Sequence, residues 1–574
     1  MAEPPAWIVL GRLDGVPAAA LLDASGQERE RITLTDEGLP AWVAAAEAAP
    51  APPRWVWSDA TVWYPRLLAA GVRVGRCHDL RLCHAILRDS TLVPAAEDLR
   101  RATLWDASPV ADSAGASTLF ALDDVEGSSG APDGLPAAVE EFGRQRDALT
   151  AAADPGRLRL LLAAESAGAL LAAELQAAGL PWDPASHDRI LTEVLGERPA
   201  GGGLPARLQD AATRVRRELG DPGASLDSQP KLLRALHRAG VLVESTSRWE
   251  LSEHDHPVVA PLIEYKKLSR LLSANGWAWL DEWVHDGRFR PVYVPGGVVT
   301  GRWASSGGGA LQLPRQLRRA VRSDPGWLLV VADVAQLEPR VLAAMARDEK
   351  LADAAHGRDL YSGIVDSGAV DTRQHAKVAL LGAMYGATTG ESGRLVPRLR
   401  RAYPRAMALV DDAARVGEEG GVVSTWLGRS SPPPSPDWRA SQVRASEMEA
   451  SRADETRARR SARDRGRFTR NFVVQGTAAE WALAWLADLR GRLAAIAPVD
   501  ASAAAPRSGP VFQAVPHLAF FLHDEIIVHT PQDRVDAVVY AVRESAASAG
   551  RLLFGSFPID FPLDLKVSRT AEKE

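Results

Sequence analysis

Two carboxylates follow strongly apolar segments of the chain and could together hold divalent metal ions. Asp333 ends the apolar run Leu328–Ala332, and Asp524 follows the apolar segment Leu518–Leu522 after one intervening histidine. Two carboxylates brought close together repel each other unless a cation lies between them. Two-metal phosphoryl transfer uses such an arrangement, with ions about 3.5–4 Å apart. Taken alone, each residue has a simpler explanation, Asp333 as a helix cap and Asp524 as a solvated turn residue.

A second cluster places two cations one helical turn apart. At roughly 100° per residue, one side of a helix would carry four side chains in turn: Arg373, Lys377, Leu381 and Tyr385. The two cations could hold a triphosphate, and the aromatic ring could stack on a base. The simpler alternative is a solvated basic face that ends at the Tyr-Gly pair.

The apolar pattern predicts the elements that must position these groups. A buried strand over 328–332 leads into a helix from about Leu337, and residues 340–427 are mostly helical. Two strands, 518–522 and 526–528, flank a turn at 523–525. Short strands are predicted over 290–294 and 298–299, and an Arg-rich segment over 437–470 precedes helices that reach about Ile496.

The N-terminal part reads as α/β. A hairpin turning at Asp14-Gly15 joins strands at 7–10 and 18–22. A helix over 39–49, a strand over 55–57 and a linker over about 105–135 follow. Helical spacing then recurs over 135–195 with a stop at Gly179, and again over 230–239 and 257–284.

Composition limits the protein class. The 574 residues suggest roughly three or four domains, and the 46% hydrophobic and 24% charged fractions are ordinary for a soluble globular protein. No run of about 18 apolar residues predicts a membrane span, and the N-terminus lacks a secretory pattern. Two cysteines favour a reducing cytoplasm. The net charge of −6 argues that any polyanion contact must come from local basic patches.

The order and spacing of these clusters resemble motifs A, B and C of family A DNA polymerases, the bacterial DNA polymerase I type. Motif A is matched by Asp333, Gln336, Glu338 and Arg340; motif B by Arg373, Lys377 and Tyr385-Gly386; motif C by His523-Asp524-Glu525. Further matches are Thr300-Gly301-Arg302 with Leu311-Gln312, the helix of Arg467, Asn471 and Gln475–Ala479, and the thumb segment Leu226–Leu232. The resemblance extends from about Leu158 to Val567.

The resemblance implies roles for these residues. Asp333 and Asp524 would hold two Mg²⁺ ions, with Mn²⁺ as a substitute, helped by the Val334 carbonyl. Lys377 would also be catalytic, as a proton donor to pyrophosphate. The implied nucleotide-binding residues are Arg373, Lys377, Leu381, Tyr385, Gln336, Glu338 and His523. The implied DNA-binding residues are Arg302, Gln312, Arg467, Asn471, Gln475 and Glu525.

The implied fold class is a multidomain α/β and α+β protein. An RNase H-like, exonuclease-type domain (1–135) would precede a right-hand polymerase. Its parts would be the thumb and connecting helices (136–290), palm with motif A (291–347), fingers with motif B and an Arg-rich insertion (348–466), and palm with motif C (467–574). The first strand lacks the Asp-x-Glu pair of proofreading exonucleases, so we expect a degenerate domain, with Asp59 and Asp79 as remnants.

This chain departs from the family pattern at three places. Val334-Ala335 replaces the usual Tyr-Ser of motif A, and Leu381 replaces an aromatic residue of motif B that normally packs against the nucleotide sugar. The segment before Arg467 is longer than usual, and its part from Arg452 to Arg470 carries eight arginines against three acids, a net charge of +5. That part is interpreted either as a phosphate-binding patch or as a solvated helix.

The resulting prediction is a monomeric DNA-templated DNA polymerase of the bacterial cytoplasm, associated with the nucleoid and active in replication or repair. Its partners would be primer–template DNA and deoxynucleoside triphosphates, with no membrane. Two alternatives remain open at this point. One is a single-subunit RNA polymerase, against which the bulk of Glu338 near the sugar argues. The other is a non-catalytic DNA-binding protein derived from a polymerase.

Overall fold

A computed structural model describes residues 4–94, 96–107, 130–309, 313–387, 390–447 and 450–572. The predicted linker over 105–135 falls largely outside these residues. The chain divides into two compact units. Unit 1 comprises residues 1–179, 292–307 and 325–567, and unit 2 comprises residues 180–291, 308–324 and 568–574. Within the described ranges, no helix has the length and apolar character needed to cross a bilayer.

Unit 1 begins with a five-stranded sheet. Its strands are β1 (Trp7–Leu13), β2 (Val16–Leu22), β3 (Glu28–Thr33), β4 (Arg54–Trp57) and β5 (Cys77–Asp79). The order is β3-β2-β1-β4-β5, with β1, β2 and β3 antiparallel and β4 and β5 parallel to β1. The helices are α1 (Leu39–Glu47), α2 (Ala60–Ala69), α3 (Leu80–Asp89), α4 (Glu97–Arg101), α5 (Leu135–Ala151) and α6 (Pro155–Ala178).

Alternation along β1 explains why helices cover both faces of this sheet. Ile8 and Leu10 point into one hydrophobic core, and Val9 points into another. The predicted hairpin is confirmed, because Asp14 and Gly15 both have positive φ, as a two-residue turn requires. Helix α6 ends at Gly179, the predicted stop.

Unit 2 is mainly helical. Its helices are α7 (Pro184–Leu195), α8 (Ala206–Glu218), α9 (Gln229–Arg238), α10 (Arg248–Leu251), α11 (Val259–Asn275) and α12 (Trp277–Trp283). A small sheet is formed by β6 (Leu180–Pro181), β7 (Val284–His285) and β8 (Arg288–Phe289) in the order β6-β8-β7. Trp182, Trp279 and Phe289 pack their rings together in its core. Helices α9, α11 and α12 confirm the helical segments predicted over 230–239 and 257–284.

The rest of the chain returns mostly to unit 1. Its strands are β9 (Val292–Val294), β10 (Ala304–Gly307), β11 (Trp327–Val334), β12 (His517–Leu522), β13 (Glu525–Pro531) and β14 (Leu563–Ser568). Its helices are α13 (Leu337–Met345), α14 (Glu349–Ala355), α15 (Leu360–Asp366), α16 (Arg373–Tyr385), α17 (Gly390–Ala402), α18 (Pro404–Glu418), α19 (Pro436–Ser446), α20 (Arg452–Ala494), α21 (Gly509–Phe512) and α22 (Val535–Phe554).

A four-stranded sheet with the order β12-β13-β11-β14 lies at the centre of this part. Residues 329–332 of β11 are all buried, as the apolar run predicts. One predicted strand is wrong. Residues 298–299 lie in a turn, where the Val298 N–H donates to the Arg302 carbonyl oxygen, and β9 pairs instead with the more polar strand β10. Serine and glycine in β10 gave no strand signal.

The Arg-rich segment forms α19 and the first turns of the 43-residue helix α20. Ser451 begins α20 with a capping box, since its side chain accepts from the Asp454 N–H while the Asp454 side chain accepts from the Ser451 N–H. Farther along, apolar residues of the helix are buried over 472–493, so one continuous helix has a solvated basic start and a buried apolar end.

A buried ion cluster ties α20 to the N-terminal part of unit 1. Glu174 of α6 accepts hydrogen bonds from Arg490 (2.6 and 3.0 Å), from Arg73 (3.0 Å) and from the Tyr64 hydroxyl (2.7 Å). Burial alone would raise the pKa of Glu174, but Arg490 and Arg73 hold it at about 2. The carboxylate therefore stays ionised between two arginines.

Replacing this carboxylate should destabilise unit 1. We expect Glu174→Gln to lower the free energy of unfolding by about 3–5 kcal/mol, because two arginine charges lose their buried partner. The wild-type contribution should be complete above pH 4.5 and should diminish as the pH falls toward 2, since the folded pKa lies below the ordinary one. Urea unfolding followed by tryptophan fluorescence measures both effects. Glu28→Gln, at an exposed pair with Arg31, is the control and should cost less than about 1 kcal/mol.

Candidate active site

The antiparallel register of β11 and β13 brings the two predicted carboxylates to one end of the central sheet. Asp333 lies opposite Glu525, and the Val334 N–H donates to the Asp524 carbonyl oxygen at 3.0 Å. His523 has a φ of 58°, which allows a two-residue turn between β12 and β13. The turn residues predicted at 523–525 are thus His523 and Asp524, while Glu525 is already the first residue of β13.

The donor atoms at this strand end suit a hard cation. Asp333 and Asp524 are half-buried, and the side chain of Val334 is buried, so that only its backbone carbonyl could contribute. Mg²⁺ prefers oxygen ligands and keeps several waters, so a few protein oxygens are enough. In the part of the chain that the structure describes, no three His, Cys, Asp or Glu side chains form a metal-binding group. Two carboxylates and one backbone carbonyl are hard oxygen donors, and such a donor set fits Mg²⁺.

Glu338 in the first turn of α13 is held by two other predicted site residues. Its carboxylate accepts a hydrogen bond from the Arg302 guanidinium and another, at 2.6 Å, from the Tyr385 hydroxyl. Burial and then the Glu338 charge raise the pKa of Tyr385, so its hydroxyl stays protonated and remains a donor. The Glu338 side chain is only 12% exposed. This triad fixes a bulky carboxylate in the first turn of the helix that follows β11.

Asp359, which precedes α15, joins motif A to α16. Its carboxylate accepts from Gln336 at 3.0 Å and from Arg373 in a bidentate pair at 2.8 and 3.1 Å. It also accepts from the Ser362 N–H at 2.8 Å and so caps α15. Burial would raise the pKa of Asp359, but the hydrogen bond from Arg373 and that from Ser362 hold it below its ordinary value. The ionised Asp359 carboxylate therefore occupies the guanidinium of Arg373.

Helix α16 presents the predicted cations to solvent. Its Thr372 cap accepts from the His375 N–H at 3.1 Å, and Gly386 ends the helix with a φ of 74°, a conformation that favours glycine. Arg373 and Lys377 are both exposed, and Lys377 has no ion-pair partner among the described residues. Leu381 is half-buried and packs against the hydrophobic core around α16.

The predicted DNA-binding residues of α20 lie on successive turns. Gln475 accepts from the Thr300 hydroxyl at 3.0 Å, which fixes the segment that carries Arg302. Arg467 pairs with Asp464, and its side chain lies against Gly386, where an added Cβ would be 2.8 Å from the arginine Cγ. Asn471 is half-buried between these two turns.

Three predicted site residues remain: His523, Glu525 and Gln312. Partial burial of the ring, and then the positive charge of Arg302, lower the pKa of His523, which favours a neutral imidazole at neutral pH. Glu525 is buried, 3% exposed. Gln312 lies outside the described residues, so its predicted role stays a prediction.

Sequence reasoning missed one residue of the candidate site and the contacts of another. Asp359 gave only the weak signal of an Asp before a helix, and nothing pairs it with Arg373 fourteen residues later. Arg340 was recognised as part of motif A, but it is fully buried and donates to Asp560 at 2.8 Å and to four backbone carbonyls, among them Ala335 at 3.0 Å. The buried Arg340 side chain therefore stabilises the junction between β11 and α13.

Comparison with known proteins decides the family. The model for DNA polymerase family A matches residues 237–572, more than half of the chain. The chain belongs to DNA polymerase family A. The family prediction is thereby confirmed, and the motif residues 333–340, 373–386 and 523–525 all lie inside the match.

This family A chain is similar to bacterial polymerases of known name. It is 28% identical to DNA polymerase I, thermostable, of Thermus filiformis (54% of this chain, 36% of that protein). It is 25% identical to the Thermus aquaticus enzyme (69% and 46%) and 27% identical to DNA polymerase I of Chloroflexus aurantiacus (62% and 38%). The matches span less than half the length of these relatives.

The fold is similar to that of a solved polymerase structure. The POL domain of Pol1 from M. smegmatis, in complex with DNA primer-template and dNTP, aligns with a TM-score of 0.64. The alignment covers 98% of this chain and 95% of that one, at 18% identity. The predicted mixed α/β polymerase fold is confirmed at this level.

Proposed function

We propose that this family A chain is a DNA-templated DNA polymerase that adds deoxynucleotides to a primer 3′-hydroxyl, in DNA replication or repair. One observation carries the proposal. The register of β11 and β13 puts Asp333 and Asp524 at one sheet end, and contacts of Asp359 and Glu338 link this motif to α16, which presents Arg373 and Lys377 to solvent. Carboxylates that attract cations and cations that attract phosphates are the two halves of a nucleotidyl-transfer site.

The strand-end oxygens would hold two Mg²⁺ ions, or Mn²⁺ in their place. The ligands from this chain would be the Asp333 and Asp524 carboxylates and the Val334 carbonyl. When bound, such ions polarise the reacting phosphate and stabilise the attacking and leaving oxygens.

Helix α16 would bind the incoming triphosphate. Arg373 would exchange Asp359 for phosphate oxygens, since a carboxylate and a phosphate can each accept a bidentate pair of hydrogen bonds from one guanidinium. Lys377 would neutralise charge on the departing pyrophosphate and donate a proton to it, an ammonium being a better proton donor than a guanidinium. Tyr385 would stack beside the nascent base pair, with Gln336, Leu381 and His523 lining the nucleotide site.

The DNA-facing residues would lie around this centre. Arg302, Gln312, Arg467, Asn471, Gln475 and Glu525 would contact primer, template or the groove between them. Arg302 already carries the Glu338 contact, so the DNA duplex and the sugar pocket would share one guanidinium. We further propose the right-hand division: thumb in 136–290, palm in 291–347 and 467–574, fingers in 348–466, acting as a monomer.

Primer extension tests this function directly. Purified protein, a labelled primer–template and Mg²⁺ should give full-length product with deoxynucleotides and little product with ribonucleotides. Efficient use of ribonucleotides would favour an RNA polymerase. Binding of primer–template without any incorporation would favour a non-catalytic DNA-binding protein.

Glu338 should control the choice of sugar. We expect Glu338→Ala to lower discrimination against ribonucleotides by roughly 10- to 100-fold, because its bulk no longer opposes a 2′-hydroxyl. Single-turnover incorporation of matched dNTP and rNTP measures the ratio. Tyr385→Phe is the matched control, since it removes only the 2.6 Å hydrogen bond and keeps both the ring and the carboxylate. An unchanged ratio in Glu338→Ala would contradict the assignment.

We propose that the N-terminal sheet belongs to a degenerate RNase H-like, exonuclease-type domain without efficient exonuclease activity. Its strand order and directions fit that class, but β1 carries no carboxylate. Asp79 accepts the Ala60 and Leu82 N–H groups at 2.8 and 3.0 Å, and Asp59 pairs with Arg81 at 2.6 Å. Burial and then Asp59 raise the pKa of Asp79 to about 7. Both acids are thus helix caps rather than free metal ligands.

A labelled primer incubated with Mg²⁺ and no nucleotides should therefore stay intact. The assay is 3′-end trimming on matched and mismatched termini, with a proofreading exonuclease as positive control. Trimming by this protein that is lost in Asp79→Asn would contradict the proposal.

A further inference from the structure

A cavity of about 620 Å³ lies among α16, α17, α18 and α20. Five arginines line it, against two acids, Glu418 and Asp464. The arginines are Arg400, Arg460, Arg463, Arg467 and Arg470. Its walls thus carry an excess of positive charge beside the helix that presents the cations of the candidate active site.

Most of these arginines have acidic partners. Arg400 makes a bidentate pair with Asp411 at 2.8 and 3.0 Å, and Arg470 pairs with the same carboxylate. Arg467 pairs with Asp464 three residues before it. These three charges are largely compensated within the protein.

Arg460 and Arg463 differ from their neighbours on α20. Both are exposed, and within the described ranges neither has an acidic partner closer than 4 Å. The preceding arginines of the same helix, by contrast, are compensated, Arg457 by Asp454 at 3.7 Å and Arg459 by Glu455 at 2.6 Å, and they do not line the cavity. The two uncompensated charges of this stretch therefore face the cavity, whereas the compensated Arg457 and Arg459 do not.

The cavity begins where the nascent base pair is proposed to lie. Gly382, Ala383 and Gly386 line it from the C-terminal end of α16, next to Tyr385. If the nascent pair lies beside Tyr385, the unpaired template leaving the templating position would pass this helix end. No aromatic side chain is among the described lining residues, so the site offers phosphate contacts without base stacking.

We propose that Arg460 and Arg463 bind phosphates of the single-stranded template ahead of the templating base. The inference rests on the proposed polymerase function. Guanidinium groups pair with phosphates in a planar, charge-assisted geometry, and a basic groove without base readout binds single strands of any sequence. The Arg-rich start of α20 is then a template-binding surface rather than merely a solvated helix.

The test compares two double variants that remove the same charge from one helix. Arg460→Gln/Arg463→Gln removes the cavity charges, and Arg457→Gln/Arg459→Gln is the matched control. Fluorescence anisotropy measures binding of primer–templates with overhangs of about 1 or about 10 nucleotides. We expect the cavity variant to bind the long overhang about tenfold more weakly and the short one normally. For the long overhang, the slope of log binding constant against log salt concentration should become less steep by about 1.4, because each lost single-strand phosphate contact contributes about 0.7.

Other outcomes overturn the proposal. An equal loss on both overhangs, no loss, or the same loss in the control variant would each contradict it. A third substrate with a displaced downstream strand separates the two single strands, and a loss confined to that substrate would assign the arginines to the displaced strand instead. Unfolding midpoints of both variants verify folding. The protein could also fail to extend primers while the cavity variant still shows weaker binding of the long overhang only. That result would support the template-binding site and refute the polymerase proposal.

Discussion

Asp333→Asn and Asp524→Asn should each lower the rate of primer extension by roughly 10³-fold, with primer–template binding preserved. An amide keeps the shape of the carboxylate but loses the charge that attracts a divalent ion, and several kcal/mol of transition-state stabilisation are lost with it. The strand pairing that supports both residues uses backbone atoms, including the Val334 N–H to the Asp524 carbonyl, so the sheet should be unaffected. Single-turnover extension and anisotropy measure the two properties separately.

Asp533→Asn is the control for this experiment. Asp533 follows β13 at its other end, and its side chain is 61% exposed. This substitution removes the same charge at the opposite end of β13 without touching the candidate site, and the variant should extend primers normally. Near-normal extension by either site variant, at saturating Mg²⁺, would refute the assignment of the metal ligands.

Lys377→Ala should lower kcat by roughly 10²- to 10³-fold, the range of general-acid catalysis. Lys377 is exposed on α16 and has no acidic partner among the described residues, so its ammonium is available to the triphosphate. Lys377→Arg keeps the positive charge but supplies a guanidinium, which cannot readily give up a proton. We therefore expect Lys377→Arg to restore nucleotide KM while kcat stays low. Rapid-quench incorporation at varied dNTP concentration measures both constants.

Substitution of Arg373 should have a different kinetic effect from substitution of Lys377. Because Asp359 already pairs with Arg373, Arg373→Lys should raise KM more than it lowers kcat, through loss of the bidentate contact. Full recovery of kcat by Lys377→Arg would show that Lys377 contributes charge alone and would contradict its role as a proton donor.

Nearly all basic residues of the chain are arginines: of the 67 lysines and arginines, 60 are arginines and seven are lysines. Its net charge of −6 misleads as a guide to partners, because most arginines are compensated locally. The pairs at Arg400, Arg457, Arg459 and Arg467 illustrate this compensation. Among the candidate polyanion contacts, Arg373 and Arg467 have acidic neighbours, whereas Lys377, Arg460 and Arg463 have none among the described residues, a difference that depends on three-dimensional position.

The sequence by itself determined the local elements and the family. Apolar runs predicted β11, β12 and β13, helical spacing predicted α16, and the order of the three clusters identified the family that residues 237–572 confirm. Local periodicity and short motifs depend on neighbours in the chain, so they can be read without coordinates. The failure at residues 298–299 has the same origin, since two valines suggest a strand and the partner that pairs with β9 is the polar strand β10.

The tertiary structure alone decided which side chains meet. The register of β11 against β13 places Asp333 opposite Glu525, the Glu338 carboxylate joins Arg302 to Tyr385, and Asp359 joins Gln336 to Arg373. These contacts link residues 14 to 192 positions apart. Their geometry follows from strand pairing and helix packing, which no local pattern encodes. The sequence thus determined which chemical groups are available, and packing decided which are held by protein partners and which are left to meet a substrate.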